Sequence, residues 1–199
     1  EMLEKKTGKP VLGVIPYFRG ISIAQEDSVY LDERPVPPDR GLDVAVIRLP
    51  HISNYDDFDP LEAGCAVRYV SDPARLGNPD LIILPGTKST IADLKYLREQ
   101  RLDQAVLERA KAGTPLVGIC GGFQMLSRTI NDPLLVESGE TCAEGLGLLD
   151  VETVFSEVKT TTQVKARVVA GRGLFDGLKG VEISGYEIHM GQTGGQTHA

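Results

Sequence analysis

Cysteine is scarce in this chain: three among 199 residues, an odd number without regular spacing. That excludes a disulfide framework and points to a reducing compartment, hence the cytoplasm. No apolar run approaches the roughly 20 residues that a membrane-spanning helix needs. The opening residues, Glu1-Met2-Leu3-Glu4-Lys5-Lys6, carry no apolar stretch behind their lysines, so neither export nor membrane anchoring is expected. Lysine and arginine are outnumbered by acidic residues, for a formal charge of −7, and form no basic stripe, so nucleic acid is not an expected partner. No resident metal site is expected, and no Walker A phosphate loop is present. Residues Leu84-Pro85-Gly86-Thr87-Lys88-Ser89-Thr90 resemble one at first sight but lack its earlier glycine, without which the backbone cannot wrap phosphates. What remains is a chain with 41% hydrophobic and 25% charged residues, the balance of a globular protein long enough to bury one good core.

Apolar runs at residues 42–49, 66–70, 80–84 and 115–119 read as short strands bounded by turn residues. Between 84 and 115 the pattern changes to helical period, with Ile91, Leu94 and Leu97, then Leu102, Val106, Leu107 and Ala110. Strands alternating with helices predict an α/β fold with a mostly parallel central sheet flanked by helices. Beyond Leu146 the sequence is rich in threonine and valine, and residues 148–155, 164–169 and 181–189 are expected as strands of a β-rich carboxyl-terminal part. At the other end, residues 11–16 read as a strand, and the polar, proline-rich stretch that follows it has the composition of a linker.

The most informative segment is Gly118-Ile119-Cys120-Gly121-Gly122-Phe123-Gln124. Glycines two before and two after a nucleophile, between a strand and a helix, build the sharp elbow that serine hydrolases use, here with a thiol. N–H groups at the helix amino terminus would favour negative charge on sulfur or on a substrate oxygen. Cys65, which follows Gly64 in an expected loop, and Cys142, in a polar segment, lack such a frame and read as inert thiols. The strand ending at Leu84 can lie beside the strand ending at Ile119. The N–H groups of Gly86 or Thr87, with that of Gly121, would then form an oxyanion hole. Pro85-Gly86 also reads as a plain turn with Ser89 or Thr90 capping the next helix, which the same geometry allows. A thiol nucleophile needs a base, and the chain holds only His51, His189 and His198. His198 sits near the end and His51 in a loop after Leu49-Pro50, leaving His189 at a strand end as the base and later acid. Glu187 shares a face with His189 by two-residue alternation and is a weaker choice as its orienter.

Together with Arg48-Leu49-Pro50-His51-Ile52-Ser53-Asn54, Asp57-Phe58-Asp59-Pro60-Leu61 and Gly185-Tyr186-Glu187-Ile188-His189-Met190-Gly191, these motifs resemble the cobyric acid synthase family, in the family's order and from about residue 11 to 193. The family joins an ATP-dependent synthetase module to a glutaminase of the class I glutamine amidotransferase-like, flavodoxin-like fold. The resemblance implies that residues 1–38 are the end of the synthetase module and a linker, and that residues 39–199 are the glutaminase, cut short at its carboxyl end. It further implies that Cys120 attacks the side-chain amide of glutamine, that Gln124 contacts the bound glutamine, and that His189 helps expel ammonia. ATP and Mg²⁺ would act in the absent synthetase module, which receives the ammonia and amidates corrin carboxylates; no cofactor is expected in this chain. Typical class I glutaminases carry a glutamate two residues after the histidine. Gly191 stands there, so a Cys–His pair is expected instead of a triad. A sibling amidotransferase acting on cobyrinic acid or a cell-wall precursor, and a noncatalytic domain of the same fold, are the alternatives.

Overall fold

The computed structural model describes residues 2–13, 41–169 and 173–196. A short helix, α1 (Met2–Thr7), opens the chain and buries nothing. Residues 11–13 form no regular structure, and Leu12 is almost fully exposed, so the strand expected at 11–16 is absent as far as residue 13; the rest of it and the proline-rich stretch lie outside the described residues.

Four strands, β1 (Leu42–Ile47), β2 (Cys65–Val70), β3 (Leu81–Leu84) and β4 (Leu116–Gly118), form a parallel sheet in the order β2-β1-β3-β4. Val44, Ala45, Val46 and Ile47 are all buried, as are Ile82, Ile83 and Leu84. Such unbroken apolar runs are what a parallel sheet covered on both faces demands. Cys65, expected in a loop, is the first residue of β2, opposite Leu42 in the ladder. The Arg68 guanidinium forks onto Asp43, with Nε to Oδ1 at 2.7 Å and Nη2 to Oδ2 at 2.9 Å. It also donates to the carbonyls of Arg75 and Leu76, tying β1 and β2 to the turn that leads into β3.

Two helices, α2 (Thr90–Glu99) and α3 (Leu102–Lys111), connect β3 to β4. They bury Ile91, Leu94 and Leu97 and then Leu102 and Val106, the apolar stripe read from the sequence. The amino terminus of α2 is not capped by the hydroxyl of Ser89, which makes no such bond. The Glu137 carboxylate, brought from far along the chain, accepts the N–H groups of Thr90 and Ile91 instead.

One residue, Ile119, separates β4 from Cys120, which stands at the N-cap of the short helix α4 (Gly121–Met125). Beyond it, β5 (Thr129–Asn131), β6 (Cys142–Glu144), β7 (Asp150–Arg167) and β8 (Glu182–Gln196) make a second sheet ordered β6-β5-β7-β8, parallel only between β5 and β7. The stretches 148–155 and 164–169 expected as separate strands belong, over most of their length, to one long strand, β7. An irregularity between Phe155 and Thr160 sets four residues of β7 against Met190 of β8. This is a bulge, and bulges re-aim side chains near functional sites. Met125, Leu126, Ile130 and Phe155 join the same buried cluster as β1, β3 and α2, so the two sheets share one core.

Candidate active site

Cys120 has φ 49° and ψ −111°, a conformation that L residues avoid and that costs roughly 1–3 kcal/mol. The elbow is held by close packing around it. A side chain at Gly122 would place its Cβ 2.1 Å from the carbonyl oxygen of Leu84, so α4 can approach β3 only with glycine there. Gly122 N–H donates to Ile119 O at 2.8 Å and Gln124 N–H to Cys120 O at 3.0 Å, closing the turn. The strain is thus balanced by the burial of α4, and the thiol stays exposed to solvent.

The 86–88 loop lies against the elbow. The position of a Cβ on Gly86 falls 3.8 Å from Cys120 Cβ, and that of a Cβ on Gly121 falls 3.3 Å from the Thr87 nitrogen. Gly86, Thr87 and Gly121 are therefore brought around Cys120 as the sequence suggested. Thr87 N–H makes no hydrogen bond among the described residues.

His189 lies on β8 opposite Thr160, just past the bulge, and lines with Cys120 a cavity of about 620 Å³. The backbone carbonyl of the preceding residue, Ile188, is 4.0 Å from Cys120 Sγ. Glu187 Oε1 and His189 Nε2 are 2.7 Å apart, so the reach doubted from spacing alone exists. His189 Nδ1 is buried and has no partner among the described residues. With the proton on Nε2 and directed at Glu187, Nδ1 presents a lone pair.

Gln124 is nearly buried beneath the cavity; its Oε1 accepts from Thr90 Oγ1 at 3.2 Å. A Cβ at Gly191 would stand 2.5 Å from Gln124 Nε2 and 3.0 Å from Thr153 Cγ2. The space that a glutamate two residues after the histidine would need is occupied by Gln124. The cavity also presents Lys88, Lys159, Asp57 and Glu137, both charge signs within one small volume. His198 lies outside the described residues. Cys65 and Cys142 are free thiols on β2 and β6, outside the cavity lining.

Two features escape sequence reading. Asp132, fully buried, has its carboxyl pushed up by that burial, but the N–H donors of Glu137, Ser138 and Val136 outweigh it and hold the group below its ordinary value. The turn wound around Asp132 delivers Glu137 to α2. There burial raises the Glu137 carboxyl, against the lowering effect of the Thr90 and Ile91 N–H groups. Nothing local in the sequence signals this pairing. The second feature is Asp93, also fully buried, whose partners are His51 and Thr87. A signal existed here: Thr90, Asp93, Leu94 and Leu97 share one helical face at i, i+3, i+4 and i+7, and a charge on a core face requires partners. Among the described residues, no group of three or more histidine, cysteine or acidic side chains could hold a metal ion, and no helix is long and apolar enough to cross a membrane.

A family model described as the CobB/CobQ-like glutamine amidotransferase domain matches residues 43–199. Cobyric acid synthase of Dehalococcoides mccartyi (strain CBDB1) is 54% identical over 195 residues, which are 97% of this chain and 39% of that protein. Cobyric acid synthase of Sorangium cellulosum (strain So ce56) is 51% identical over 207 residues, 96% of this chain and 40% of that protein. The chain thus spans about two fifths of the length of these curated relatives. Among solved structures, PurLQS from Thermotoga maritima has a chain that superposes with a TM-score of 0.57 at 21% identity, covering 78% of this chain and 70% of that one. A crystal structure of a glutamine amidotransferase superposes at 0.53 and 19% identity, covering 74% and 70%. At such identities the two structures bear on the fold alone, an α/β fold with a parallel sheet. On the strength of the family model and the relatives, this chain belongs to the CobB/CobQ-like glutamine amidotransferase domain family.

Proposed function

We propose that this chain hydrolyses glutamine as the ammonia-supplying part of a cobyric acid synthase, with Cys120 as nucleophile and His189 as its base and acid. The observation that carries the reading is the positive-φ elbow at Cys120, set in one cavity with a histidine whose Nε2 is engaged by Glu187 and whose Nδ1 has no partner. The Cys120 thiol gives its proton to His189 Nδ1, and the sulfur bonds to the side-chain amide carbon of glutamine. Negative charge then develops on the amide oxygen, where the N–H groups of Gly86, Thr87 and Gly121 receive it. Collapse breaks the carbon–nitrogen bond as His189 returns the proton to the leaving nitrogen, releasing ammonia. Water, deprotonated by the same imidazole, hydrolyses the thioester, releasing glutamate and restoring the thiol. Glu187 orients the imidazole throughout and stabilises its positive charge. Gln124 contacts the bound glutamine, and Lys88 or Lys159 offers a cation to its α-carboxylate.

The acceptor lies outside this chain. We assign residues 39–199 to the glutaminase and residues 1–38 to the end of a synthetase module and linker. That module uses ATP and Mg²⁺ to amidate corrin carboxylates on the route to cobalamin, in the cytoplasm. The identities of 54% and 51% to relatives that are themselves named cobyric acid synthase support this acceptor over a cell-wall precursor. The test is ammonia and glutamate release from glutamine by the chain joined to its synthetase module. Release that disappears in Cys120→Ala, together with ATP-dependent amidation of a corrin acid, supports the proposal; release that persists in Cys120→Ala overturns the assignment of the nucleophile.

A further inference from the structure

The oxyanion loop has its own buried support, in residues that the catalytic chemistry does not use. Asp93 projects from the first turn of α2 and is fully buried. Its Oδ1 lies 2.7 Å from His51 Nδ1, and its Oδ2 accepts the His51 backbone N–H at 3.2 Å and the Thr87 hydroxyl at 2.5 Å. The same Thr87 oxygen accepts the Ser89 N–H at 3.1 Å. A buried carboxylate persists only when its oxygens are satisfied, and here every partner comes from one of two loops. Those loops are also joined as an antiparallel bridge between Ile52 and Thr87, with Ser53 N–H donating to Gly86 O at 2.9 Å and Lys88 N–H to His51 O at 3.0 Å.

The bridge has a consequence for the Gly86–Thr87 peptide. In a trans peptide the N–H points opposite to the C=O. The Gly86 carbonyl faces Ser53, so the Thr87 N–H faces away from that loop, on the side where its nitrogen stands beside Gly121 and the elbow. A rotation of this one peptide would withdraw the donor from Cys120.

We propose that Asp93, acting through the Thr87 hydroxyl and His51, is the positioning residue that locks the Gly86–Thr87 peptide with its N–H directed to the Cys120 side. This rests on the glutaminase reading for its catalytic meaning, and on geometry alone for the clamp itself. Removing the lock impairs stabilisation of the developing oxyanion more than binding of glutamine, because the charge exists only in the transition state.

Thr87→Val is the main test, since it keeps the shape and removes the hydroxyl; Thr87→Ser restores it, and Asp93→Asn weakens the acceptor. Loss of an oxyanion donor costs about 10²–10³ in kcat, and a displaced donor is expected to cost about 10-fold or more. Glutaminase kcat is therefore expected to fall by about that factor in Thr87→Val, with KM for glutamine within about twofold and Thr87→Ser within about threefold of the parent chain. Alkylation of Cys120 by iodoacetamide, which needs no oxyanion hole, should keep its rate. Hydrogen exchange at the amides of Ser53, Lys88 and Ser89 should quicken in Thr87→Val and Asp93→Asn. An unchanged kcat in Thr87→Val, or equal losses in the valine and serine variants, overturns the positioning role. Unchanged exchange at those amides overturns the clamp. If the parent chain, joined to its synthetase module, has no Cys120-dependent glutamine turnover, the glutaminase reading is defeated instead, and exchange then decides the clamp independently.

Discussion

Cys120 concentrates backbone strain in one residue. Its backbone strain is tolerated because glycines on both sides let α4 and β3 close around it, and the same packing leaves the thiol in solvent. If His189 is base and acid, His189→Asn should lower glutamine hydrolysis by about 10²–10⁴-fold, the usual worth of a positioned proton-transfer group. Glu187→Gln keeps the shape and removes the charge, and should cost far less, about 10-fold in kcat. Gly191→Glu is the sharper test of the pair. It restores the carboxylate position of typical class I glutaminases, but its side chain meets Gln124 and Thr153, so activity is expected to fall. A gain of activity in a steady-state ammonia assay would show that Gln124 yields the space.

At the scale of elements, the parallel strands and the two connecting helices were legible because their burial is regular. Residues 44–47 and 81–84 are apolar throughout, and α2 repeats its apolar contacts every three or four residues. The elbow was legible as well, since glycine spacing around a cysteine has a local steric cause. The short strands β5 and β6 were not, because three polar or mixed residues become strands only through their neighbours. Nor was the cap of α2, which Glu137 supplies from 47 residues away in sequence. The turn that carries Glu137 is wound around Asp132, whose carboxyl is held below its ordinary value. Stability from a lowered carboxyl is complete above the unfolded value and lost as pH falls through the folded one. The chain should therefore lose part of its stability on acidification below about pH 4, and Asp132→Asn should remove this component while costing about 1–3 kcal/mol near neutral pH. Urea midpoints of both proteins between pH 3 and 7 provide the check; parallel pH dependences would remove Asp132 as the source.

At the scale of the molecule, the described residues form two sheets joined through one core. Phe155, on β7 and 5% exposed, belongs to the same buried cluster as Leu84 and Leu94, and its ring stands 3.3 Å from where a Cβ on Gly191 would be. Phe155→Ala should cost about 3–5 kcal/mol and lower the stability of both sheets together, giving a single transition by fluorescence and circular dichroism. Two separated transitions would show that the sheets fold independently. The far ends of β7 and β8 lie outside this core, where β8 carries exposed Ile183 and Tyr186.

The local properties of the chain were determined by its sequence alone: which runs are apolar, where glycine permits an elbow, and that Cys120 sits at that elbow, because these depend on residues close in the chain. Tertiary structure decided everything that needs two distant segments in one place. It brought His189 into one cavity with Cys120, set Gln124 against Gly191, and closed the 51–54 loop over the 86–88 loop through buried Asp93. A side chain's chemistry is written in the sequence, whereas its partner is selected by burial, and burial exists only after the chain has folded.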